Sequence, residues 1–197
     1  MKQKGFTVWF TGLSDAGKST LSHMLSERLL ERGLKVQLLD GGVIRASLNK
    51  HLGFTKEDRD TNVRRIGSMC EALSKNGAVA IAAAVSPYRA TRDELRAKIE
   101  NLVEVYVKCP LEVLMERDKK GLYQKALKGE IKNLAGLDDP YEEPLKPEVI
   151  VETHKETPEE SIQKILKTLE CLNYIPARKG SSRKGSGLNR LTENTKN

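Results

Sequence analysis

Apolar positions along this chain follow two patterns, short continuous runs and longer stretches in which they recur every three or four residues. The short runs predict five β-strands, at residues 7–11, 35–39, 78–85, 102–108 and 149–152. The run AVAIAAAV at 78–85 is apolar throughout, which is typical of a strand buried on both faces of a parallel sheet.

Helical patterns separate these runs. Leu21, Leu25 and Leu29 are four residues apart and Gly33 is a typical helix stop, so a helix is predicted from residue 18 to about residue 32. Further helix starts are marked by capping side chains or by proline, namely Thr55 with Asp58, Thr91 with Glu94, Pro110, and Thr157 with Glu160.

Strands that alternate with helices predict an α/β fold in which helices cover both faces of a parallel sheet. The ligands of such folds gather at the carboxyl ends of the strands. Residues 118–147, rich in Lys, Gly, Asp and Pro, predict a long mobile excursion. Residues 1–175 therefore form one predicted domain, and segment 176–197 is predicted to be a flexible basic tail.

The net charge of +7 is compatible with a nucleic-acid partner, but its distribution is not. Six basic residues and one acidic residue lie in 177–197, so this segment supplies +5 and leaves +2 for the rest of the chain. A solvated tail explains the excess, and nucleic acid is not the expected partner. The three cysteines are far apart and no apolar run is long enough to span a bilayer, so a cytoplasmic location without a membrane partner is expected.

The most specific motif is GLSDAGKS, which fits the phosphate-loop pattern GxxxxGK[ST] and stands between a predicted strand and a predicted helix. In such a loop backbone N–H groups and the helix N-terminus face phosphate oxygens, Lys18 reaches the β- and γ-phosphates, and the Ser19 hydroxyl serves Mg²⁺. The predicted ATP-binding residues are Gly12, Leu13, Ser14, Asp15, Ala16, Gly17, Lys18, Ser19 and Thr20.

Asp15 puts a carboxylate in the middle of that loop. At about 4 Å from a phosphate charge it costs about 1 kcal/mol in water-like surroundings and about 4 kcal/mol at an effective dielectric of about 20. The loop presents its backbone inward and leaves room for the side chain to point outward, while Lys18 and Mg²⁺ offset much of the remaining repulsion. We therefore expect Asp15 to weaken nucleotide binding without abolishing it.

A kinase also needs a second pocket that aligns an acceptor hydroxyl with the γ-phosphate, whereas a nucleotide switch needs a guanine signature, which NKHL does not supply. Asp40 ends the second strand beside the loop, where it is expected to hold Mg²⁺ or to accept the hydroxyl proton; capping of a helix or turn is the alternative role. The run GFTKEDRDTNVRR suits an anionic acceptor with a flat base, although a solvated helix face has the same composition. Its residues of interest are Phe54, Arg59, Arg64 and Arg65.

The chain resembles the adenylylsulfate kinases in a series of runs that stand in that family's order and spacing: GFTVWFTGLSDAGKST, LLDGGVIR, LGFTKEDRDTNVRRIG, SPYRATRDE, VYVKCPLEVLMERD, KGLYQKALKGEIKNLAGLDDPYEEP and ETPEESIQKIL. The resemblance covers roughly residues 5–175. It implies a three-layer P-loop kinase with a mobile lid at about 118–147. It also implies transfer of the γ-phosphoryl group of MgATP to the 3′-hydroxyl of adenosine 5′-phosphosulfate, a homodimer, and a functional link to ATP sulfurylase.

The family pattern also implies residue roles. Asp40 would lie near Mg²⁺ and the 3′-hydroxyl, Phe54 would stack on the acceptor adenine, and Lys120 in the lid would meet the transferring phosphoryl group. Ser86 matches the serine that family descriptions give as a phosphoserine intermediate, although direct in-line transfer is physically simpler because positioning and charge stabilisation suffice. The other implied acceptor-pocket residues are Arg45, Arg59, Asn62, Pro87, Tyr88, Arg89, Leu134 and Asp138. A closed lid would exclude water and limit ATP hydrolysis.

Three positions depart from the family pattern. Asp15 replaces a loop glycine, Gly42 replaces the second carboxylate of a DGD turn, and Leu134 replaces a lid aromatic that would complete an adenine sandwich with Phe54. A base stack of this kind is worth roughly 1–3 kcal/mol, and losing it raises the acceptor KM by about one order of magnitude. The favoured interpretation is a working kinase. The alternatives are a kinase for another nucleotide-like acceptor and a catalytically weakened, nucleotide-binding partner of a sulfurylase.

Overall fold

Five parallel strands form one sheet in the computed structural model, which describes residues 4–177. They are β1 (Phe6–Thr11), β2 (Val36–Asp40), β3 (Val79–Ala83), β4 (Leu102–Lys108) and β5 (Val149–Glu152). Their order across the sheet is β2-β3-β1-β4-β5. All five predicted strands are confirmed, and their ends lie within two residues of the predicted ones.

Helices cover both faces of this sheet, as the α/β prediction requires. They are α1 (Lys18–Glu31), α2 (Gly41–Ser47), α3 (Lys56–Lys75), α4 (Arg89–Lys98), α5 (Leu111–Arg117), α6 (Leu122–Leu127) and α7 (Pro158–Cys171). Alternate residues of β1 face opposite layers: Phe6 and Phe10 pack in the core beneath α1 and α7, whereas Trp9 packs in the core beneath α3 and α4. All five residues of β3 are buried, which confirms a strand covered on both faces.

Two of the predicted caps form as expected. The Thr55 hydroxyl accepts a hydrogen bond from the Asp58 backbone N–H at the start of α3. Thr157 and Glu160 form a reciprocal capping box at the start of α7. Both motifs lie in exposed turns, where the capping side chains meet no competing partner.

The predicted capping box of Thr91 and Glu94 is wrong. Helix α4 begins at Arg89, with Tyr88 as its N-cap residue and without a capping side chain. The Thr91 hydroxyl instead donates to Asp60, and Glu94 forms an ion pair with Arg64, both on α3. Both side chains that the local pattern predicted as a cap therefore bind residues of the neighbouring helix α3.

Helices α2 and α6 were not predicted. The first is only seven residues long and begins with two glycines. The second lies inside segment 118–147, which also buries Tyr123, Leu134 and Ala135. This segment is therefore partly helical and packed against the core, and its mobility stays a prediction.

The sheet register gathers the functional loops. Phe10 of β1 and Asp40 of β2 both pair with Ala83 of β3, so these three strands end at the same level. The segments that follow them therefore open onto one edge of the sheet, which is where ligands of such folds bind.

Over residues 4–177, no helix is long and apolar enough to cross a membrane, and no group of three or more His, Cys, Asp or Glu side chains is placed to hold a metal ion. The three cysteines are free thiols, with Cys70 and Cys109 buried and Cys171 exposed. The predicted tail lies outside the described residues from position 178 onwards.

Candidate active site

A cleft of about 800 Å³ opens at the carboxyl ends of β1, β2 and β3. Its walls come from the phosphate loop, the start of α2, the segment that leads into α3, the loop after β3, and parts of segments 117–135 and 153–158. Ligand sites usually measure about 300–1,000 Å³, so this cleft is large enough for more than a small anion.

The phosphate loop bends through three positive-φ residues, Gly12 (φ +150°), Asp15 (φ +58°) and Gly17 (φ +104°). A side chain at Gly12 would collide with the backbone carbonyl of Val107, so glycine is required there. Gly17 is the N-cap of α1, and no side chain caps this helix. The first N–H groups of α1 are therefore free to bind a phosphate.

Lys18 is held inside this loop. Its ammonium group donates to the Leu13 carbonyl at 2.6 Å. Desolvation lowers the pKa of Lys18 to about 8, against the opposing effects of the Asp15 and Asp40 carboxylates and with a smaller lowering from Lys120. A desolvated cation with a carbonyl as its hydrogen-bond partner is ready to exchange that partner for a phosphate oxygen.

The Asp15 side chain does not point fully outward, which corrects the expectation from the sequence. Its Oδ2 atom is buried and has no hydrogen-bond partner, and the carboxylate acts on the Lys18 ammonium. Asp15 also lines the cleft. The residue tolerates the left-handed backbone conformation because Asp adopts it more readily than most side chains do. Asp15 thus places a negative charge close to where nucleotide phosphates would bind.

Ser19 and Asp40 meet at the junction of α1 and β2, where the Ser19 hydroxyl donates to Asp40 Oδ2 at 2.7 Å. The other carboxylate oxygen accepts the backbone N–H groups of Gly42 (2.8 Å) and Val43 (3.2 Å) and so caps α2. Asp40 therefore has the capping role that the sequence offered as an alternative, and its role toward Mg²⁺ or the acceptor hydroxyl stays a prediction. Burial alone would raise the pKa of Asp40, but the hydrogen bonds from Ser19, Val43 and Gly42 hold it below its usual value.

The Ser19–Asp40 pair fits a magnesium site. Mg²⁺ is usually held by one or two carboxylates together with substrate phosphates, and both side chains offer hard oxygen ligands. Gly42 lies close to the same carboxylate, since a Cβ atom there would be 3.1 Å from Asp40 Oδ1. Any side chain at position 42 would therefore lie beside the capping carboxylate.

Phe54, Arg45 and Arg59 form a cationic aromatic cluster at the other end of the cleft. The guanidinium groups of Arg45 and Arg59 lie 4.1 and 5.5 Å from the centre of the Phe54 ring, which is half exposed. Burial, and then the positive charge of Arg59, hold the pKa of Arg45 below its usual value. Two neighbouring cations beside an aromatic ring suit a ligand that joins a flat base to an anionic group.

Asn62 also lines this end of the cleft and is buried. Its carbonyl oxygen accepts from Asn49, which leaves its amide N–H groups for a ligand. Arg64 and Arg65 do not line the cleft: Arg64 pairs with Glu94, and Arg65 donates to Asn49. The arginine-rich run therefore divides into one cleft residue, Arg59, and two residues with structural partners.

Ser86 is buried and has a positive φ of +42°. Its hydroxyl accepts from the Trp9 indole at 3.1 Å and donates to the Thr11 hydroxyl at 2.9 Å. A serine nucleophile needs an adjacent base, and none of these hydrogen-bond partners is one. The geometry therefore favours a structural role for the Ser86 hydroxyl.

The other residues of the predicted acceptor loop, 87–89, contact two different parts of the molecule. Pro87 lines the cleft. Tyr88 instead donates to both carboxylate oxygens of Asp139, and the Arg89 backbone N–H donates to the Glu142 carboxylate. Tyr88 and Arg89 do not line the cleft and connect the loop to segment 118–147.

Segment 118–147 contributes Lys120 and Leu134 to the cleft. Leu134 is only 7% exposed, and its N–H group donates to Asp138 at 2.6 Å. Asp138 also accepts from the Asn133 N–H and shapes this turn without lining the cleft. Arg59 donates to the Asn133 carbonyl, so the lid turn already contacts the cationic cluster.

Two residues next to the phosphate loop were missed by the sequence analysis. Thr153 donates to the Ala16 carbonyl at 2.8 Å, and Arg117 donates to both the hydroxyl and the carbonyl of Thr153. Both line the cleft. The position of Thr153, directly after β5, is a signal that could have identified it, because ligands gather at the carboxyl ends of strands.

Comparisons with known proteins agree in one family. A model of the family described as adenylylsulphate kinase matches residues 4–152. An adenylyl-sulfate kinase of Rippkaea orientalis is 54% identical over 175 residues, which cover 89% of this chain and 97% of the relative. A probable bifunctional SAT/APS kinase 2 of Sorangium cellulosum is 60% identical over 174 residues, which cover 88% of this chain but only 30% of that longer protein.

A solved structure supports the same comparison at the level of the fold. The Mycobacterium tuberculosis APS kinase CysC in complex with AMPPNP and APS superimposes with a TM-score of 0.81 at 36% sequence identity. The match covers 85% of this chain and 99% of that chain.

Proposed function

The chain belongs to the adenylylsulfate kinase family, and we infer that it transfers the γ-phosphoryl group of ATP to the 3′-hydroxyl of adenosine 5′-phosphosulfate. The product is 3′-phosphoadenosine 5′-phosphosulfate. The observation that carries the proposal is that Lys18 in the phosphate loop and the Arg45, Phe54 and Arg59 cluster line one continuous cleft. A donor phosphate chain and an acceptor nucleotide can therefore meet in the same space, as direct transfer requires.

The phosphate end supplies charge stabilisation. Lys18 and the N–H groups at the start of α1 are the donors for the β- and γ-phosphates. Ser19 and Asp40 are the residues that would hold Mg²⁺, whose charge would stabilise the phosphate oxygens. Because the pKa of Asp40 is below its usual value, this carboxylate is ionised at neutral pH and can accept a hydrogen bond from the 3′-hydroxyl.

The acceptor end supplies recognition and orientation. Phe54 offers a ring face to adenine, while Arg45 and Arg59 offer guanidinium groups to the phosphosulfate. Lys120 lines the cleft from segment 118–147 and its charge acts on Lys18, so it is placed to reach the transferring group. The engaged hydroxyl of Ser86 supports direct in-line transfer in place of a phosphoserine intermediate.

The proposal has four further parts. Residues 1–175 form the kinase domain, with a lid at about 118–147. The enzyme acts as a homodimer in the cytoplasm. A functional link to ATP sulfurylase is supported by the bifunctional relative, whose name couples SAT to APS kinase. Light scattering of the purified protein tests the dimer.

The test is single-turnover formation of the 3′-phosphorylated product from labelled ATP, with adenosine 5′-phosphosulfate compared against adenosine 5′-phosphate. Arg59→Ala should raise the acceptor KM by about tenfold or more, because a charge-assisted contact is worth about 1.5–3 kcal/mol. Arg64→Ala is the matched control on the same helix, since Arg64 is exposed and pairs with Glu94. Tight nucleotide binding without turnover, or faster turnover of another acceptor, would contradict the proposal.

A further inference from the structure

Arg92 on α4 lies behind the cleft and is only 5% exposed. Its two terminal nitrogens donate to two backbone carbonyls, those of Ser86 and Glu142, each at 2.5 Å. The first carbonyl belongs to the substrate loop, residues 85–88, which follows β3. The second belongs to the lid limb, residues 140–143, at the end of segment 118–147. One side chain therefore spans two segments that are more than 50 residues apart.

A third contact fixes the orientation of this guanidinium group. The Arg92 Nε atom lies 2.9 Å from Glu104 Oε1 on β4. That oxygen receives no aligned hydrogen bond and is held by the ion pair alone. The guanidinium carbon also lies 5.8 Å from the centre of the Tyr141 ring. Only a planar, charged group with two forked terminal donors can make these contacts together, and a lysine ammonium cannot.

The substrate loop needs such support. Ser86 has a positive φ, and strained conformations of this kind cost about 1–3 kcal/mol and persist only when the surroundings hold them. Trp9 and Thr11 hold the Ser86 side chain, and Arg92 holds its carbonyl. The strained turn directs Ser86 and Pro87 into the cleft wall.

The lid limb is joined to the same loop by further bonds. The Glu142 N–H donates to the Pro87 carbonyl at 2.8 Å, and the Glu142 carboxylate accepts the Arg89 N–H at 2.7 Å. The Tyr141 and Thr11 hydroxyls are 2.9 Å apart. By contrast, residues 124–133 of the predicted lid are mostly exposed. The exposed stretch 124–133 and the lid limb are therefore held to very different extents.

We propose that Arg92 is a positioning residue that locks the substrate loop and the lid limb into one rigid wall of the acceptor pocket. Closure of the lid is then confined to the exposed stretch 124–133, which moves against a fixed wall. This inference rests on the proposed function, because the wall positions the acceptor of that reaction. Arg92 touches neither substrate and acts through Ser86, Pro87 and Glu142.

The kinetic test compares Arg92→Lys with Arg96→Lys. Arg96 pairs with the same Glu104 and with Glu148 but contacts neither the substrate loop nor the lid limb, so it is the matched control. Arg92→Lys should raise the acceptor KM about tenfold, leave the ATP KM within about twofold, and increase the share of ATP hydrolysed without transfer. Arg96→Lys should leave all three unchanged. Equal effects in both variants, or a lower Tm of Arg92→Lys with an unchanged acceptor KM, would overturn the proposal.

Hydrogen exchange on the unaltered enzyme supplies a test that needs neither a variant nor a substrate. The Glu142 N–H should exchange far more slowly than those of residues 124–133, because Arg92 fixes the wall that holds it, whereas the hydrogen bonds of 124–133 lie in a mostly exposed stretch. Similar exchange at Glu142 and in residues 124–133 would overturn the proposal, even if Arg92→Lys failed to fold. Absence of turnover in the unaltered enzyme would instead count against the proposed function, so the two failures are distinguishable.

Discussion

Removing the charge of Asp15 should strengthen ATP binding. The carboxylate lies in the phosphate loop with one buried oxygen that has no hydrogen-bond partner, and it acts on the ammonium group of Lys18. Asp15→Asn removes the charge while keeping the size of the side chain and its tolerance of a positive φ. Asp15→Gly removes the charge and the strain together. Comparison of the two variants separates electrostatics from backbone conformation.

Two opposing effects determine how much the ATP affinity changes when the Asp15 charge is removed. Repulsion between the carboxylate and a phosphate about 4 Å away costs about 1 kcal/mol in water-like surroundings and about 4 kcal/mol at an effective dielectric of about 20. Against this, Asp15 supports the charge of Lys18, whose pKa is already lowered to about 8, and that support is lost in the variants. We expect a net gain of about 1–2 kcal/mol, which is a five- to thirtyfold lower ATP Kd.

Calorimetric titration of each protein with MgATP at pH 7 measures this gain, since that pH lies below the Lys18 pKa of about 8 in the unaltered protein. Thermal unfolding of the free proteins controls for stability. Glycine should be nearly neutral in this control, since its relief of strain is offset by about 0.4–1 kcal/mol of unfolded-state entropy. An unchanged Kd in Asp15→Asn would refute the electrostatic argument. A lower Kd in the glycine variant alone would assign the effect to the backbone.

Three further outcomes are expected. Leu134→Phe should lower the acceptor KM by about tenfold in initial-rate assays at saturating ATP, because it adds an aromatic stack on the acceptor base that is worth roughly 1–3 kcal/mol. An unchanged acceptor KM would argue that the lid turn does not cover the base. Asp40→Asn should keep the cap of α2, and hence the Tm, but lower kcat by about a hundredfold or more because charge stabilisation of the transition state is lost. Retention of full kcat would exclude a catalytic role for the carboxylate. With a thiol reagent at pH 8 the native protein should react rapidly at the exposed Cys171 and not at the buried Cys70, because burial raises the pKa of the Cys70 thiol to about 12. Rapid labelling of Cys70 would show that α3 opens readily.

Much of the candidate site could be predicted from local sequence patterns. The phosphate loop, Asp40 at the end of β2 and the Arg59 run were predicted because each depends on residues that are neighbours in the chain. The five strands were predicted for the same reason, since a short apolar run bounded by polar residues is a local feature. The α/β fold followed from their alternation with helices and is confirmed by the sheet order β2-β3-β1-β4-β5.

The amino-acid sequence by itself determined which segments become strands, where the phosphate-loop motif stands and which family the chain resembles. The tertiary structure decided what individual polar side chains do. The Thr91 hydroxyl donates to Asp60 and does not cap α4 as predicted. Asp40 accepts from Ser19 and also caps α2. Arg92 donates to both the substrate loop and the lid limb. The physical reason is that a buried polar group must find a hydrogen-bond partner, and in a parallel sheet with crossover helices that partner is usually distant in the chain.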